Sequence, residues 1–279
     1  MKILINNQFY DSDTCNISAN DRGLLFGDGI FTTIKSINNK LQHFHQHYER
    51  LKQHAKTTSI TIKLSEKELH DNCIELLKQN QQCQKTAITR ITITRGISER
   101  GINIPKQPIP TVIIQCTNLE PKSDLTPIRI CYTSIVRNEY SPLTRIKSLN
   151  YLESILARKE AQERNFDDGI MLNTRGSICE CTAANIFFVT TNYEVLTPHL
   201  SEGVLNGIIR EQVIATCKKL NIPILQRSIC PDDIYDCIEA FQTNCVIDIQ
   251  PISHIEDFNF SVKNDGITQL IGNYYCNSK

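Results

Sequence analysis

The chain has 279 residues, and its 30 basic side chains balance its 30 acidic ones, so the formal net charge is zero. This length suits one or two domains at about 150 residues per domain, and the charge balance excludes the basic field of a nucleic-acid-binding protein. The first ten residues hold no signal-peptide core, and no segment reaches the roughly 18 apolar residues of a membrane span. We therefore expect a cytoplasmic protein that acts on a small molecule, with neither nucleic acid nor membrane as partner.

Two amphipathic helices are predicted in the first third of the chain. Apolar residues recur at helical spacing from Phe44 to Ala55 and again from Leu69 to Leu77. Ser65 precedes the second run, and Glu68 lies three residues after Ser65, which is the spacing of a capping box. The second helix is therefore expected to begin just after Ser65.

Strands and a linker follow these helices. Residues 86–94 are dense in β-branched side chains, and residues 111–116 form another short apolar run. Residues 118–127 combine two prolines with polar residues and have no apolar period, as is typical of a connection between folding units. The predicted domains are therefore residues 1–117 and 128–279.

The second domain is predicted to mix strands and helices. Residues 128–136 read as a strand, residues 151–164 as a helix, and residues 169–189 as successive strands with a turn at Asn173–Gly176. A further helix is expected after Gly207. The predicted fold class is mixed α/β (α+β).

Two motifs have ordinary interpretations that compete with functional ones. The glycines of FGDG, residues 26–29, fit a tight turn more often than a phosphate cradle. His43, His45 and His47 have the spacing of metal ligands on a strand, but the surrounding apolar pattern puts them at a helix start, where they diverge. No metal site is predicted.

Three charged residues have more than one interpretation on local sequence alone. Lys147 lies at a strand-to-helix junction, where it is either a solvated charge or a held lysine with catalytic chemistry. Glu180 precedes an apolar strand, so we expect a partly buried carboxylate that needs a cationic or hydrogen-bonding partner. Arg100 lies on a loop between strands and suits either a surface turn or a grip on a substrate carboxylate.

Seven short motifs occur in a fixed order between about residues 6 and 252. They are DRGLLFGDGIFTT, HYERL, TRGISERG, IKSLN, ICECTAANIF, LNGIIRE and QPI. Together they resemble the class IV (fold-type IV) aminotransferases, a group that contains branched-chain aminotransferases, D-amino acid aminotransferases and 4-amino-4-deoxychorismate lyases. The resemblance implies a two-domain, D-amino acid aminotransferase-like fold, pyridoxal 5′-phosphate (PLP) as cofactor, and a homodimer.

The resemblance also implies roles for individual residues. Lys147 of IKSLN matches the catalytic Schiff-base lysine, and it falls within the predicted C-terminal domain. Glu180 matches the partner of the pyridine nitrogen. Arg50 of HYERL matches the arginine that holds the cofactor phosphate. The further phosphate contacts it implies are the backbone amides of Ile208 and Ile209 and the positions Cys245 and Val246.

Four positions bear on the reaction. Phe31 and Thr33 of the FTT string resemble the lyases, in which the second threonine faces the cofactor and acts in catalysis. Asn244 matches an asparagine that lyases place near the substrate, and Arg100 matches an arginine that binds substrate carboxylate. IKSLN is shared with D-amino acid aminotransferases, so a D-amino acid or branched-chain aminotransferase is the alternative to the lyase.

A cofactor-carrying protein without this reaction, used as a binding or regulatory module, is a second class of hypothesis. Retention of Lys147, Glu180 and Arg50 together argues against it.

The predicted reaction converts 4-amino-4-deoxychorismate into 4-aminobenzoate and pyruvate, a step of folate biosynthesis.

Overall fold

Residues 1–120 and 126–277 are described by a computed structural model, in which the chain divides into two units. Unit 1 comprises Met1–Pro121 and Ile146–Asn150, and unit 2 comprises Lys122–Arg145 and Tyr151–Lys279. Much of the predicted linker at residues 118–127 lies outside the described residues, so the predicted domain boundary stays a prediction.

The segment that carries Lys147 belongs to unit 1 and not to the C-terminal domain in which it is predicted. The backbone explains the difference. The Phe31 N–H donates to the Lys147 carbonyl at 2.9 Å, and the Leu149 N–H donates to the Gly29 carbonyl at 3.0 Å. The chain therefore returns to an N-terminal strand for a few residues before it re-enters unit 2.

Unit 1 is built on one antiparallel sheet with helices against it. Its elements are β1 (Lys2–Ile5), β2 (Gln8–Asp11), α1 (Arg22–Phe26), β3 (Gly29–Ile37), β4 (Lys40–Leu41), α2 (Phe44–Thr58), α3 (Glu66–Gln79), β5 (Thr86–Thr94) and β6 (Thr111–Asn118). The strand order is β2-β1-β6-β5-β3-β4. Apolar residues of α2, α3 and the sheet form one buried cluster, which includes Ile34, Leu51 and Leu76.

Local signals predicted α3 and β5 well. The Ser65 hydroxyl accepts from the Glu68 N–H at 3.3 Å, and the Glu68 carboxylate accepts from the Ser65 N–H at 2.8 Å, which confirms the capping box. The strand predicted at residues 86–94 is confirmed as β5, Thr86–Thr94. In both cases the deciding interactions are close in sequence.

Unit 2 contains a mixed sheet of nine strands. Its strands are β7 (Ile128–Arg137), β8 (Asp168–Asn173), β9 (Ile178–Cys181), β10 (Asn185–Thr190), β11 (Val195–Pro198), β12 (Ile224–Arg227), β13 (Cys237–Asn244), β14 (Asp248–Ile255) and β15 (Phe258–Asn259). The order is β12-β11-β10-β13-β14-β7-β8-β9, with β15 beside β14. The pairs β11–β12, β14–β7 and β7–β8 are parallel.

Helices lie along this sheet. They are α4 (Leu152–Glu163), α5 (Ile208–Lys219) and α6 (Ile267–Asn277), with short 3₁₀ helices at Pro142–Arg145, Leu200–Glu202 and Pro231–Asp236. Phe187 and Phe188 of β10 are both fully buried and belong to two different apolar clusters. Because neighbouring strand residues point to opposite faces, both faces of this part of the sheet are covered.

The apolar side of α4 faces outward. Leu152 and Ile155 are 67% and 58% exposed, while Ala157 and Ala161 are fully buried. A Cβ on Gly169 of β8 would lie 3.3 Å from the Ala157 carbonyl and 3.5 Å from the Ala161 Cβ. Small residues therefore bring α4 close to the sheet, and larger apolar residues are left on the exposed side.

Among the described residues, no helix is both long and apolar enough to cross a bilayer. All twelve cysteines lie in the described part of the chain and are unbridged.

Candidate active site

The two glycines of FGDG allow the Lys147 segment to lie against β3. Gly27 ends α1 with φ 64°, and a Cβ there would lie 2.8 Å from Asn150 Oδ1. A Cβ on Gly29 would lie 2.6 Å from Leu149 Cδ1 and 2.8 Å from the Ile93 carbonyl. The motif thus provides a helix end and a close approach of two backbones, which confirms its interpretation as a turn.

Lys147 lies beside Phe31. Its Nζ is 4.5 Å from the centroid of the Phe31 ring, and the guanidinium carbon of Arg90 is 3.6 Å from the same centroid. Thr33 is two residues beyond Phe31 in β3 and therefore shares its face, and it pairs across the sheet with Arg90 of β5. We call Phe31, Thr33, Arg90 and Lys147 the Lys147 cluster.

Arg90 is not among the site residues predicted from the sequence. Its signal is a single arginine in the middle of the β-branched run TAITRITIT. In a strand with one face on the core, a central arginine points to the other face. Only the pairing of β5 with β3 reveals that this face also carries Phe31.

The other face of β3 orients Arg50. Arg50 Nη2 donates to Thr32 Oγ1 at 3.2 Å, and Thr32 Oγ1 lies 2.6 Å from His47 Nδ1. Burial, Arg50, His43 and Lys147 together hold the pKa of His47 well below its ordinary value. His47 is therefore neutral, and the hydroxyl links it to an arginine that keeps its charge.

His54 lies on the same stripe of α2, at helical spacing from Arg50 and His47. Its Nδ1 accepts from the Lys147 N–H at 3.1 Å. Burial, followed by the positive charges of Arg50 and Lys147, lowers the pKa of His54 to about 4. At neutral pH, Arg50 is thus the charged member of this stripe.

The histidines considered as metal ligands lie in different environments. His43 precedes α2 in a left-handed conformation, and His45 is exposed with its Nδ1 3.0 Å from Glu66 Oε1. His47 is buried against Thr32. His45 and His47 point to different sides of α2, because helical geometry separates positions two apart.

The two arginines of TRGISERG have different environments. Arg95 is 4% exposed and donates to both carboxylate oxygens of Asp28, at 2.7 and 2.8 Å, and to the carbonyls of Thr58 and Ser59. It holds the end of α2 to the turn before β3. Arg100 is exposed on the loop between β5 and β6. Its role in carboxylate binding stays a prediction.

In unit 2, Glu180 is buried on β9, as predicted. Its carboxylate pairs with Arg137 Nη1, accepts from Asn185 Nδ2 at 2.9 Å, and accepts from the Leu205 N–H at 3.2 Å. Burial alone would lower the pKa of Arg137, but Glu180 and Glu153 raise it above its ordinary value. The buried carboxylate therefore has a permanent cationic partner.

The start of α5 offers backbone donors. Gly207 is the extended N-cap residue, and no side chain caps the helix. Ile208 and Ile209 are each only 2% exposed as whole residues and have apolar side chains, so their backbone amides are the donors that they can offer. A Cβ on Gly207 would lie 2.0 Å from Asn185 Oδ1, so a larger residue there would displace the Asn185 amide, which donates to Glu180. An uncapped helix start of this kind suits a phosphate.

Asn244 ends β13 and organises the turn that follows. Its Oδ1 accepts from the Val246 and Ile247 N–H groups at 2.8 and 3.0 Å, and its Nδ2 donates to the Ala183 carbonyl at 3.1 Å. The Val246 amide, considered as a phosphate donor, is thus engaged within its own turn. The substrate contact of Asn244 and the phosphate contacts of Cys245 and Val246 stay predictions.

Comparison with known proteins places the chain in a family. The model for amino-transferase class IV matches residues 29–255, and the chain belongs to this family. A Methanocaldococcus jannaschii protein named "Putative branched-chain-amino-acid aminotransferase" is 32% identical, over 92% of this chain and 88% of that one. A D-alanine aminotransferase from Listeria monocytogenes is 29% identical with the same coverage. An aminodeoxychorismate lyase from Bacillus subtilis is 27% identical, over 96% of this chain and 92% of the lyase.

Solved structures agree with the fold class. A branched-chain aminotransferase from Thermoproteus uzoniensis superposes with a TM-score of 0.91 at 26% identity, covering 99% of this chain and 93% of that one. A Legionella pneumophila structure named "Putative 4-amino-4-deoxychorismate lyase" gives 0.89 at 25% identity, covering 96% and 97%. The predicted mixed α/β, fold-type IV class is confirmed.

PLP, the cofactor implied by the sequence, is the cofactor of this family. The residues of each unit fit it. Unit 1 supplies a lysine whose backbone is held on both sides and an arginine oriented by Thr32. Unit 2 supplies a buried, ion-paired carboxylate in Glu180 and an uncapped helix start at Gly207.

Proposed function

We propose that this chain is a PLP-dependent lyase that converts 4-amino-4-deoxychorismate into 4-aminobenzoate and pyruvate. The observation that carries the proposal is the FTT strand, which sets Thr33 on the same face of β3 as Phe31, beside which Lys147 Nζ lies. In the resemblance stated above, this string is the mark of the lyases. The lyase relative at 27% identity supports the same reaction.

An aminotransferase is the second candidate, and a specific observation favours it. Relatives with higher identity than the lyase carry the names of branched-chain and D-alanine aminotransferases. Both reactions begin with the same lysine and cofactor. They differ in where the proton goes after it is removed, and only the aminotransferase needs a keto-acid acceptor.

We assign the cofactor-binding roles as follows. Lys147 Nζ holds PLP covalently, Arg50 and the amides of Ile208 and Ile209 hold its phosphate, and Glu180 keeps the ring nitrogen protonated. When bound, PLP withdraws electrons from the substrate carbon that bears the amino group, so that a proton on this carbon becomes acidic.

The residues of the chain then move the protons. As a general base, Lys147 Nζ would remove the proton from the ring carbon that bears the amino group. The C–O bond to the enolpyruvyl group would then break, Lys147 would return the proton to the methylene carbon of the departing group, and pyruvate would leave. Because the remaining ring becomes aromatic, elimination is favourable, and no second substrate is needed. The Thr33 hydroxyl faces the reacting atoms in this proposal.

Substrate recognition needs cations, because the substrate carries carboxylates. We assign this role to Arg90 together with Arg100. The Arg90 guanidinium is stacked 3.6 Å from the Phe31 ring centroid, on the strand face shared with Thr33. A planar guanidinium held by stacking can bind a carboxylate through two parallel hydrogen bonds.

We also propose that the protein is a homodimer. Unit 1 exposes large apolar side chains close to Arg100 in sequence: Ile97 is 59%, Ile102 81% and Ile109 74% exposed. Leu24 of α1 is 69% exposed as well. Exposed apolar side chains at this density suit a surface covered by a second copy of the chain.

The test is a product assay. Purified protein loaded with PLP is incubated with 4-amino-4-deoxychorismate alone, and separately with D-alanine or a branched-chain amino acid plus 2-oxoglutarate. We expect equal amounts of pyruvate and 4-aminobenzoate in the first reaction without any acceptor. Keto-acid formation that depends on 2-oxoglutarate, with no 4-aminobenzoate from the first reaction, would select the aminotransferase instead.

A further inference from the structure

Both backbone polar groups of Lys147 have partners. Its carbonyl accepts from the Phe31 N–H at 2.9 Å, so β3 fixes that side of the residue. Its N–H donates outside the sheet, to His54 Nδ1 of α2 at 3.1 Å. The Ser148 N–H donates to the Ile146 carbonyl at 2.8 Å, so Lys147 is the central residue of a three-residue turn. This turn directs the Lys147 N–H away from β3, and His54 Nδ1 accepts its hydrogen bond.

His54 can do this only when it is neutral. An imidazole nitrogen that accepts a hydrogen bond carries no proton, so the other ring nitrogen, Nε2, is the protonated one. The His54 side chain is buried, and Arg50 and Lys147 add positive charge around it. Burial and these charges lower the pKa of His54 to about 4, so Nδ1 remains an acceptor throughout the neutral range.

The helix that carries His54 is itself fixed. The His54 carbonyl accepts from Thr58 Oγ1 at 2.9 Å. One turn later, Arg95 donates to the Thr58 carbonyl at 2.7 Å and pairs with Asp28 in the turn before β3. The anchor for the Lys147 amide is therefore connected back to the strand that holds the Lys147 carbonyl.

We propose that His54 is a positioning residue for Lys147, and that its Nδ1 fixes the turn from which the lysine side chain extends. In this role His54 acts through the backbone amide of Lys147. The catalytic consequence rests on the proposed function of Lys147, whereas the backbone contact does not. This hydrogen bond joins residues that are 93 positions apart in sequence. Because it fixes the Lys147 backbone before the reaction starts, little entropy is lost in aligning Nζ during the reaction.

Two variants separate the hydrogen bond from packing. His54→Phe keeps a ring but has no acceptor, and His54→Asn offers an amide oxygen near the position of Nδ1. The matched control is His45→Phe, which changes an exposed histidine on the same helix. Hydrogen exchange of the Lys147 amide is measured on the full chain, with and without PLP. We expect His54→Phe to accelerate exchange on the order of tenfold, as expected for one lost hydrogen bond, and we expect His54→Asn and His45→Phe to stay near the parent rate.

Turnover gives the second readout. With PLP and substrate, His54→Phe is expected to lower kcat by about ten- to a hundredfold, with a smaller change in KM, because a misplaced Nζ slows proton transfer. His54→Asn should recover most of the loss. Unchanged amide exchange in His54→Phe would overturn the backbone contact, and faster exchange with unchanged kcat would overturn the positioning role.

The unaltered protein provides a check that does not depend on folding of the variants. A long-range nitrogen-proton correlation spectrum at pH 7 should show His54 protonated at Nε2 and not at Nδ1. A proton on Nδ1 would overturn the proposal. If the parent protein forms neither lyase nor aminotransferase products, the proposed function fails, while amide exchange and the spectrum still decide whether His54 holds Lys147.

Discussion

Lys147→Ala is expected to lower turnover by at least about a thousandfold, because one amine serves both as the covalent anchor and as the proton carrier. Alanine supplies neither function. The fold should persist, since the hydrogen bonds of this residue with Phe31 and His54 come from its backbone, which alanine keeps. Product formation and the absorbance of the lysine-bound cofactor are both measured, and both should disappear.

Lys159→Ala is the matched control for this variant. Lys159 lies on α4, is 67% exposed in its side chain, and pairs with Glu163 at the next helical turn. Its removal should leave turnover and absorbance unchanged, because exposed pairs of this kind contribute little. Normal turnover in Lys147→Ala would contradict the assignment of the catalytic lysine.

Glu180→Ala is expected to lower turnover by roughly a hundredfold, since removal of one preorganised electrostatic partner typically costs that much. The loss should exceed the change in PLP affinity, because the phosphate contacts assigned to Arg50 and α5 are retained. A second effect follows from burial. Arg137 loses its buried partner, so the free energy of unfolding should fall by about 3 kcal/mol. Steady-state kinetics, cofactor titration and urea denaturation measure the three quantities.

Glu153→Ala separates these effects. Glu153 is the other carboxylate on Arg137, at 3.1 Å from Arg137 Nε, and its side chain is 38% exposed. Its loss leaves Glu180 paired, so turnover should stay close to the parent value. Equal kinetics for Glu153→Ala and Glu180→Ala would contradict the proposed contact of Glu180 with the cofactor nitrogen.

Elements fixed by nearby residues could be predicted from the sequence. Three elements have local signals: the capping box before α3, the β-branched run of β5 and the glycine before α5. Each element begins at the position that its signal predicts. The short helix α1 had local signals as well, since Asp21 caps its start and Gly27 its end. It was missed because five residues are too few to show an apolar period.

Features that depend on distant partners could not be predicted. The apolar stripe of α4 resembles a buried face, but the small residues Ala157 and Ala161 are the ones that meet the sheet. The return of Lys147 to β3 depends on Gly29, which is remote in sequence. Arg90 joins the site only through strand pairing, and His54 only through a bond to the Lys147 backbone.

The central claim is that Lys147 holds PLP, and chemical trapping tests it most directly. The PLP-loaded protein is reduced with borohydride, digested, and mapped by mass spectrometry. Reduction fixes the cofactor to its lysine, so the account predicts one pyridoxyl group, on Lys147 within IKSLN. A pyridoxyl group on a different lysine, or a chain that carries none after loading and reduction, would contradict it.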